Sequence, residues 1–231
     1  MGWGQEYRYE ATTVEGFVQQ LAVSYLKNGY WFYVPGEVPA GKEPRSIDDK
    51  LLGRYGIGVS KWAKARASKR GEAKLQYLRY ERTFLMLATH GESEWFVAEK
   101  EAIYDARERP IRFYGYSVGY KDGHPHVRIA SSQYRALTDA FLGGALALTA
   151  DALAGRFRAL PFEPYGPVRA QLRKLLVKVN RARREAGLGR VPVECLRTKR
   201  RVVKPFAVGA MLVVSQSSNP RPDLLCEAGE S

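Results

Sequence analysis

Asp122-Gly123 constrains the architecture of this chain more than any other pair of residues. A two-residue type I′ turn needs positive φ at both central positions, and Asp-Gly between two alternating runs meets that demand. The turn predicts a β-hairpin in which Lys121 faces His124, Gly119 faces His126, Ser117 faces Arg128 and Gly115 faces Ala130. Side chains alternate across a sheet, so these residues share one face. Tyr114, Tyr116, Val118, Tyr120, Pro125, Val127 and Ile129 share the other, which suits a core. The first face carries two imidazoles and an arginine, and sets His126 and Arg128 opposite residues with almost no side chain. Glycine inside a strand marks close approach of a ligand or of another backbone. The expectation is a site with room above the imidazoles.

The rest of the chain places helices around short strands. Thr12 or Thr13 caps an apolar-striped helix over residues 13–28, with Gly29 as its stop, and residues 30–34 read as a strand. Residues 35–45 read as a loop, Ser46 with Asp49 as a capping box, and residues 60–71 as a helix that is basic nearly all round. Strands are expected at 75–80, 83–89 and 95–97, with 99–109 charged and without clear period. Ser131 caps a helix that Gly143-Gly144 breaks, and 149–160 is a further short helix. Pro167 opens a long helix running to about Ala186, with Val168, Leu172, Leu175, Leu176, Val179 and Ala182 as its apolar stripe. One or two strands are expected over 202–215. Strand runs interleaved with helices, with few crossovers, predict an α+β fold: an antiparallel sheet with helices packed mainly on one face. The predicted organisation is a single α+β domain over residues 1–218 and a flexible C-terminal tail over 219–231.

Charge sets the function class. The 37 Lys and Arg outnumber 24 Asp and Glu, and the resulting +13 is clustered. Residues 165–205 hold 13 basic residues and two acids, and residues 60–82 hold eight basic residues and two acids. A clustered basic field is the footprint of a polyanion partner, whereas a surface tuned for solubility mixes signs. The candidate phosphate-binding residues are Lys61, Lys64 and Arg66 on the first basic helix, and Arg128 on the hairpin. On the long helix they are Arg169, Arg173, Lys174, Lys178, Arg181 and Arg184; on the loop after it, Lys199, Arg200 and Arg201. Aromatic residues at 30–33 and Tyr77 and Tyr80 beside Arg79 suit base stacking or a core. The apolar runs at 141–148 and 206–214 are too short or too interrupted by Gly to span a bilayer. The first ten residues show no signal-peptide pattern, and Cys195 and Cys226 have no metal-type spacing. A cytoplasmic setting without membrane contact is expected.

His124-Pro125-His126 is the sharpest motif. Histidines at i and i+2 on a strand project the same way and can share a divalent metal. The triplet resembles the paired-histidine motif of HUH single-strand endonucleases, such as rolling-circle replication initiators and some transposases, with Pro125 where that family has a bulky apolar residue. The resemblance covers these three residues and a downstream tyrosine. It implies a metal, Mg²⁺ or Mn²⁺, held by His124 and His126, and a tyrosine nucleophile. Tyr165 and Tyr134 are the candidates, and Tyr165 has the better separation. His90, with Glu92 and Glu94 nearby, reads as a solvated loop histidine rather than a third ligand.

The function expected is nucleic-acid binding, of DNA or RNA, dominated by phosphate contacts, in a replication, mobile-element or RNA-processing complex with other subunits. The alternative is the metal-dependent HUH-like nuclease. A module for acidic proteins or anionic membranes would use the same charge and leave the histidines unexplained.

Overall fold

Thr13 starts the first helix by accepting a hydrogen bond from the Gly16 N–H at 3.0 Å. The helix is not uniform. It is α-helical over Val14–Gln19 (α1), widens into π turns over Gln20–Tyr25 and tightens over Leu26–Asn28, ending at Gly29 with φ 86°. Its expected stripe, from Phe17 through Leu26, is buried. The structure is a computed structural model that describes residues 7–58 and 61–206, with backbone only for Lys61, Lys64 and Ser68. The expected helix start at Ser60, the strands beyond residue 206, Cys226 and the tail at 219–231 lie outside the described residues. Residues 202–206 form no strand.

Strand β1 (Phe32–Glu37) runs further than expected, through Pro35, because β3 pairs with it along its whole length. Helix α2 (Pro44–Arg54) starts two residues before Ser46; Pro44 opens it and no side chain caps it, so the Ser46/Asp49 capping box does not form. Helix α3 (Lys61–Lys69) is followed by β2 (Leu75–Tyr80) and β3 (Thr83–Ala88). Residues 94–98, expected to include a strand, form α4 (Glu94–Ala98), because the Ser93 hydroxyl accepts from the Trp95 N–H at 3.2 Å and caps a helix there. With β4 (Tyr104–Asp105), these strands make an antiparallel sheet in the order β2-β3-β1-β4.

Both faces of that sheet are covered. Leu85 and Leu87 of β3 join the main core with the first helix, while Phe84, Met86 and Ala88 join a second cluster with Tyr77, Trp95 and the apolar side of α2. Within the second cluster Asp48 of α2 is fully buried. It accepts from the Tyr77 hydroxyl at 2.6 Å and from Arg79 Nε at 2.9 Å, which fastens α2 to β2.

Two successive tight turns build a second sheet, β5-β6-β7, from β5 (Ile111–Phe113), β6 (Tyr116–Lys121) and β7 (His124–Ile129). Asp122 and Gly123 have φ 50° and 78°, and the register pairs Lys121 with His124, Gly119 with His126 and Ser117 with Arg128, as the sequence predicts. The other turn is a correction. Tyr114 and Gly115, at φ 43° and 78°, break the long strand expected from residue 112. Phe113 therefore pairs with Tyr116 and Arg112 with Ser117, and Tyr114 is 50% exposed rather than in the core.

Helix α5 (Ser131–Gly144) runs through the glycine pair expected to break it, and α6 (Ala150–Arg158) begins at a Thr149 cap. Helix α7 (Gly166–Glu185) buries Val168, Leu172, Leu175, Leu176 and Val179 of its expected stripe. Arg183 is also buried, at 3% exposure, because its guanidinium donates to the carbonyls of Ala145 and Leu148, closing the loop between α5 and α6. The apolar face of β6 and β7 packs on the first helix and α7. The chain is α+β with antiparallel sheets, and the polar face of β5-β6-β7 looks onto the segment that follows β4.

Candidate nucleic-acid interface

The polar face of the second sheet is organised in cross-strand rows. Arg112, Ser117 and Arg128 sit side by side on the three strands; one pleat along, Gly119 pairs with His126, and Lys121 with His124. Neighbouring strands lie about 4.8 Å apart, so the two arginines flank the Ser117 hydroxyl, one strand to each side. Helix α7 holds this sheet in place through an amide clamp. Gln171 Oε1 accepts from the Ile129 N–H at 2.8 Å and its Nε2 donates to the Ile129 carbonyl at 3.0 Å, which satisfies the edge of β7.

Over this face lies a cleft of about 670 Å³. Its other wall comes from Tyr33 and Pro35 of β1, Thr83 and Leu85 of β3, and Tyr104 with the segment that follows it. Its cations are Arg107, Arg109, Arg112, Lys121 and Arg128, with His126 beside them, and no Asp or Glu is among the described residues that line it. Arg107 is neutralised by Asp105 at 2.6 Å. Arg109 stacks on Tyr104 at 4.0 Å. Among the described residues, Arg109, Arg112, Lys121 and Arg128 make no ion pair.

The glycines are explained by packing. A Cβ on Gly119 would lie 2.9 Å from the Ala106 carbonyl and 3.2 Å from Pro110, so this position is glycine because another backbone crosses it. Gly115 serves its turn and lies under Phe162. The expectation that these two open room above the imidazoles is therefore corrected: the room comes from the facing sheet.

A second cavity of about 500 Å³ shares His126 and Arg128 with the first and adds Gly166, Pro167, Ala170, Gln171 and Lys174. The positive end of the α7 dipole opens here. Lys174, Lys178 and Arg181 then recur at i, i+4 and i+7, forming one exposed line down α7. Arg173 and Arg184 are exposed about a quarter-turn away, and Arg169 is turned to the Thr198 carbonyl at 3.0 Å. This geometry predicts unequal contributions. Lys174→Glu with Arg181→Glu weakens oligonucleotide binding about tenfold more than Arg173→Glu with Arg184→Glu, read by fluorescence anisotropy at fixed salt. Equal losses would show that charge acts without a track.

The loop after α7 is tied down more than its composition suggests. Buried Glu163 pairs with Arg197 at 3.2 Å and accepts from the Arg201 N–H at 2.9 Å. Arg200 donates to the Tyr165 hydroxyl at 3.2 Å and lies over its ring, while the side chains of Lys199 and Arg201 are exposed. Arg66 is exposed on α3 and lines neither cavity, and the side chains of Lys61 and Lys64 lie outside the described residues.

The expected nucleophiles are engaged elsewhere. The Tyr134 hydroxyl donates to the Gln171 carbonyl at 3.0 Å, and neither Tyr134 nor Tyr165 lines either cavity. Burial pushes both phenols up, only partly opposed at Tyr165 by Arg200. His124 is exposed beside the turn. Burial, then Arg128 and Lys121, lowers the His126 pKa. No group of three metal-ligating side chains occurs among the described residues. Mg²⁺ and Mn²⁺ take mainly oxygen ligands, whereas the two imidazoles supply nitrogen, and the charges acting on His126 are Arg128 and Lys121 against the single carboxylate of Asp122 in the turn. The residues present do not fit that metal. His90 is exposed between β3 and α4.

Arg107, Arg109 and Arg112 are the residues that sequence reasoning missed, and Lys121, placed on this face by the hairpin, is not among the phosphate-binding candidates it named. The Tyr114-Gly115 turn would have placed Arg112 beside Ser117, but the facing wall is a tertiary fact. Among the described residues no helix is long and apolar enough to cross a membrane. In comparisons with known proteins, no family model and no curated sequence matches the chain.

Proposed function

We propose that this protein binds a single-stranded nucleic acid, with phosphates seated in the cleft between the sheets and along the exposed line of α7. The observation that carries this reading is the cleft itself: Arg109, Arg112, Lys121 and Arg128 converge with no acid among its described lining residues. Like charges held together without counter-ions repel, and a polyanion relieves that cost while releasing its own condensed ions. The shared His126 and Arg128 place the cleft and the α7 cavity side by side. A cavity of about 670 Å³ has the size that encloses one drug-like ligand, which admits a nucleotide and not a duplex.

The test is fluorescence anisotropy of a labelled oligonucleotide across a salt series. With about five phosphates neutralised, the log–log slope of affinity against salt is roughly −3 to −4 for a single strand. The same strand in a duplex binds more weakly. A flat salt response, or no binding at low salt, would remove the reading. A covalent adduct with single-stranded DNA that is lost in Tyr165→Phe would instead support the tyrosine nuclease.

A further inference from the structure

We propose that the cleft between the two sheets seats the phosphorylated end of the strand, a terminal phosphomonoester clamped by Arg112, Ser117 and Arg128. The inference rests on the nucleic-acid reading above and adds which part of the polymer the cleft takes.

The distribution of charge carries it. Along the exposed line of α7 the cations come about one per turn: Lys174 and Lys178 are four residues apart, a rise of about 6 Å, and Arg181 follows one turn on, with Arg173 and Arg184 turned about a quarter-turn away. That spacing suits interior phosphodiesters, each with a single negative charge. In the cleft the density is higher. Arg109, Arg112, Lys121 and Arg128 surround one cavity that holds about one nucleotide, and among the described residues none has an acidic partner. A single diester leaves most of that charge uncompensated. A terminal monoester carries about −1.5 to −2 at pH 7 and presents three acceptor oxygens.

The donor geometry matches the same group. Arg112 and Arg128 stand on the outer strands with Ser117 between them. Each guanidinium offers N–H donors in a planar fork that takes phosphate oxygens in pairs, and the serine hydroxyl adds a donor at the centre. Ser131, the first residue of α5, lines the same cleft, so the positive end of a second helix faces it. Past His126 and Arg128 the path opens over the start of α7, where the body of the strand continues.

The experiment uses one oligonucleotide sequence in three forms, with a 5′-phosphate, with a 3′-phosphate and with hydroxyls at both ends, each labelled internally. Affinities are read by anisotropy for the whole protein and for Ser117→Ala, Arg112→Gln and Lys178→Gln. One phosphorylated form binds about tenfold more tightly than the hydroxyl-ended strand, the scale of an added charge-assisted contact. Which form it is fixes the polarity of the strand. Arg112→Gln and Ser117→Ala shrink that preference to about twofold or less, whereas Lys178→Gln weakens all three forms equally and keeps it. Inorganic phosphate as competitor reduces the bound fraction of the phosphorylated form first. Equal affinity for all three ends overturns the end-binding proposal and leaves nucleic-acid binding standing. A preference that survives Arg112→Gln and Ser117→Ala also overturns it. Failure of every form to bind overturns the underlying reading.

Discussion

Reversing Arg112 and Arg128 together to Glu lowers oligonucleotide affinity by about 10²-fold or more and leaves the folded state as stable as before, since two charge-assisted hydrogen bonds are each worth about 1.5–3 kcal/mol. Both side chains are exposed on the polar face, and neither makes an ion pair among the described residues. The core is untouched by their replacement, and surface changes of this kind stay within about 0.5 kcal/mol. Stability even gains slightly, because the cleft is relieved of self-repulsion. Binding suffers twice over: each arginine's bond to phosphate is removed, and each new carboxylate repels the phosphate it faces. The residual affinity also depends less on salt, with the log–log slope shallower by about 0.7 for each phosphate no longer neutralised. Anisotropy and thermal denaturation on the same sample separate the two effects. Parent-like affinity in the double variant would place the polyanion elsewhere, on the exposed basic residues of α7, of the loop after it or of α3.

Where local chemistry decides a conformation, the chain is readable. Asp122-Gly123 announces its hairpin because few residue pairs tolerate positive φ twice, and the register of β6 with β7 follows from it. Helix α7 is readable because its apolar stripe keeps step over 20 residues. Tyr114-Gly115 adopts the same positive-φ turn, but tyrosine rarely takes that conformation. The run from residue 112 therefore reads as one strand, and the row Arg112-Ser117-Arg128 stays hidden in the sequence. Arg107 and Arg109 lie in a segment without period, and only the packing of one sheet opposite the other brings them to the cleft. Arg183 belongs in sequence to the basic surface and in structure to the interior, where three carbonyls accept from it. Charge tells which residues prefer water; the backbone groups that outbid water are set by the fold.

Asp48→Ala destabilises the protein by about 3–5 kcal/mol, the cost of leaving one member of a buried ion pair without its partner. Asp48 is 0% exposed and Arg79 is 4% exposed. Arg79 Nε lies 2.9 Å from Asp48 Oδ2, and the Tyr77 hydroxyl donates to Oδ1 at 2.6 Å. Glu10 reaches Arg79 at 3.0 Å, but from a largely exposed position, and cannot replace a carboxylate within the core. In a chain of this size the loss lowers the melting temperature by about 10 °C or more. Asp48→Asn keeps an acceptor and the side-chain volume while removing the charge, so it costs less than the alanine change. Pairing Asp48→Ala with Arg79→Met recovers part of the loss, because an apolar pair no longer carries an uncompensated charge. Thermal denaturation of the four proteins checks the order: parent, Asp48→Asn, double variant and Asp48→Ala, with the last the least stable. A melting temperature for Asp48→Ala within about 2 °C of the parent would mean that α2 is held to β2 by its apolar contacts alone. Tyr77 and Arg79 face the second cluster, while Leu85, on the opposite face of the same sheet, lines the cleft. Oligonucleotide affinity measured well below the melting temperature therefore stays at the parental value in Asp48→Ala, which separates a fastening inside the fold from a contact in the interface.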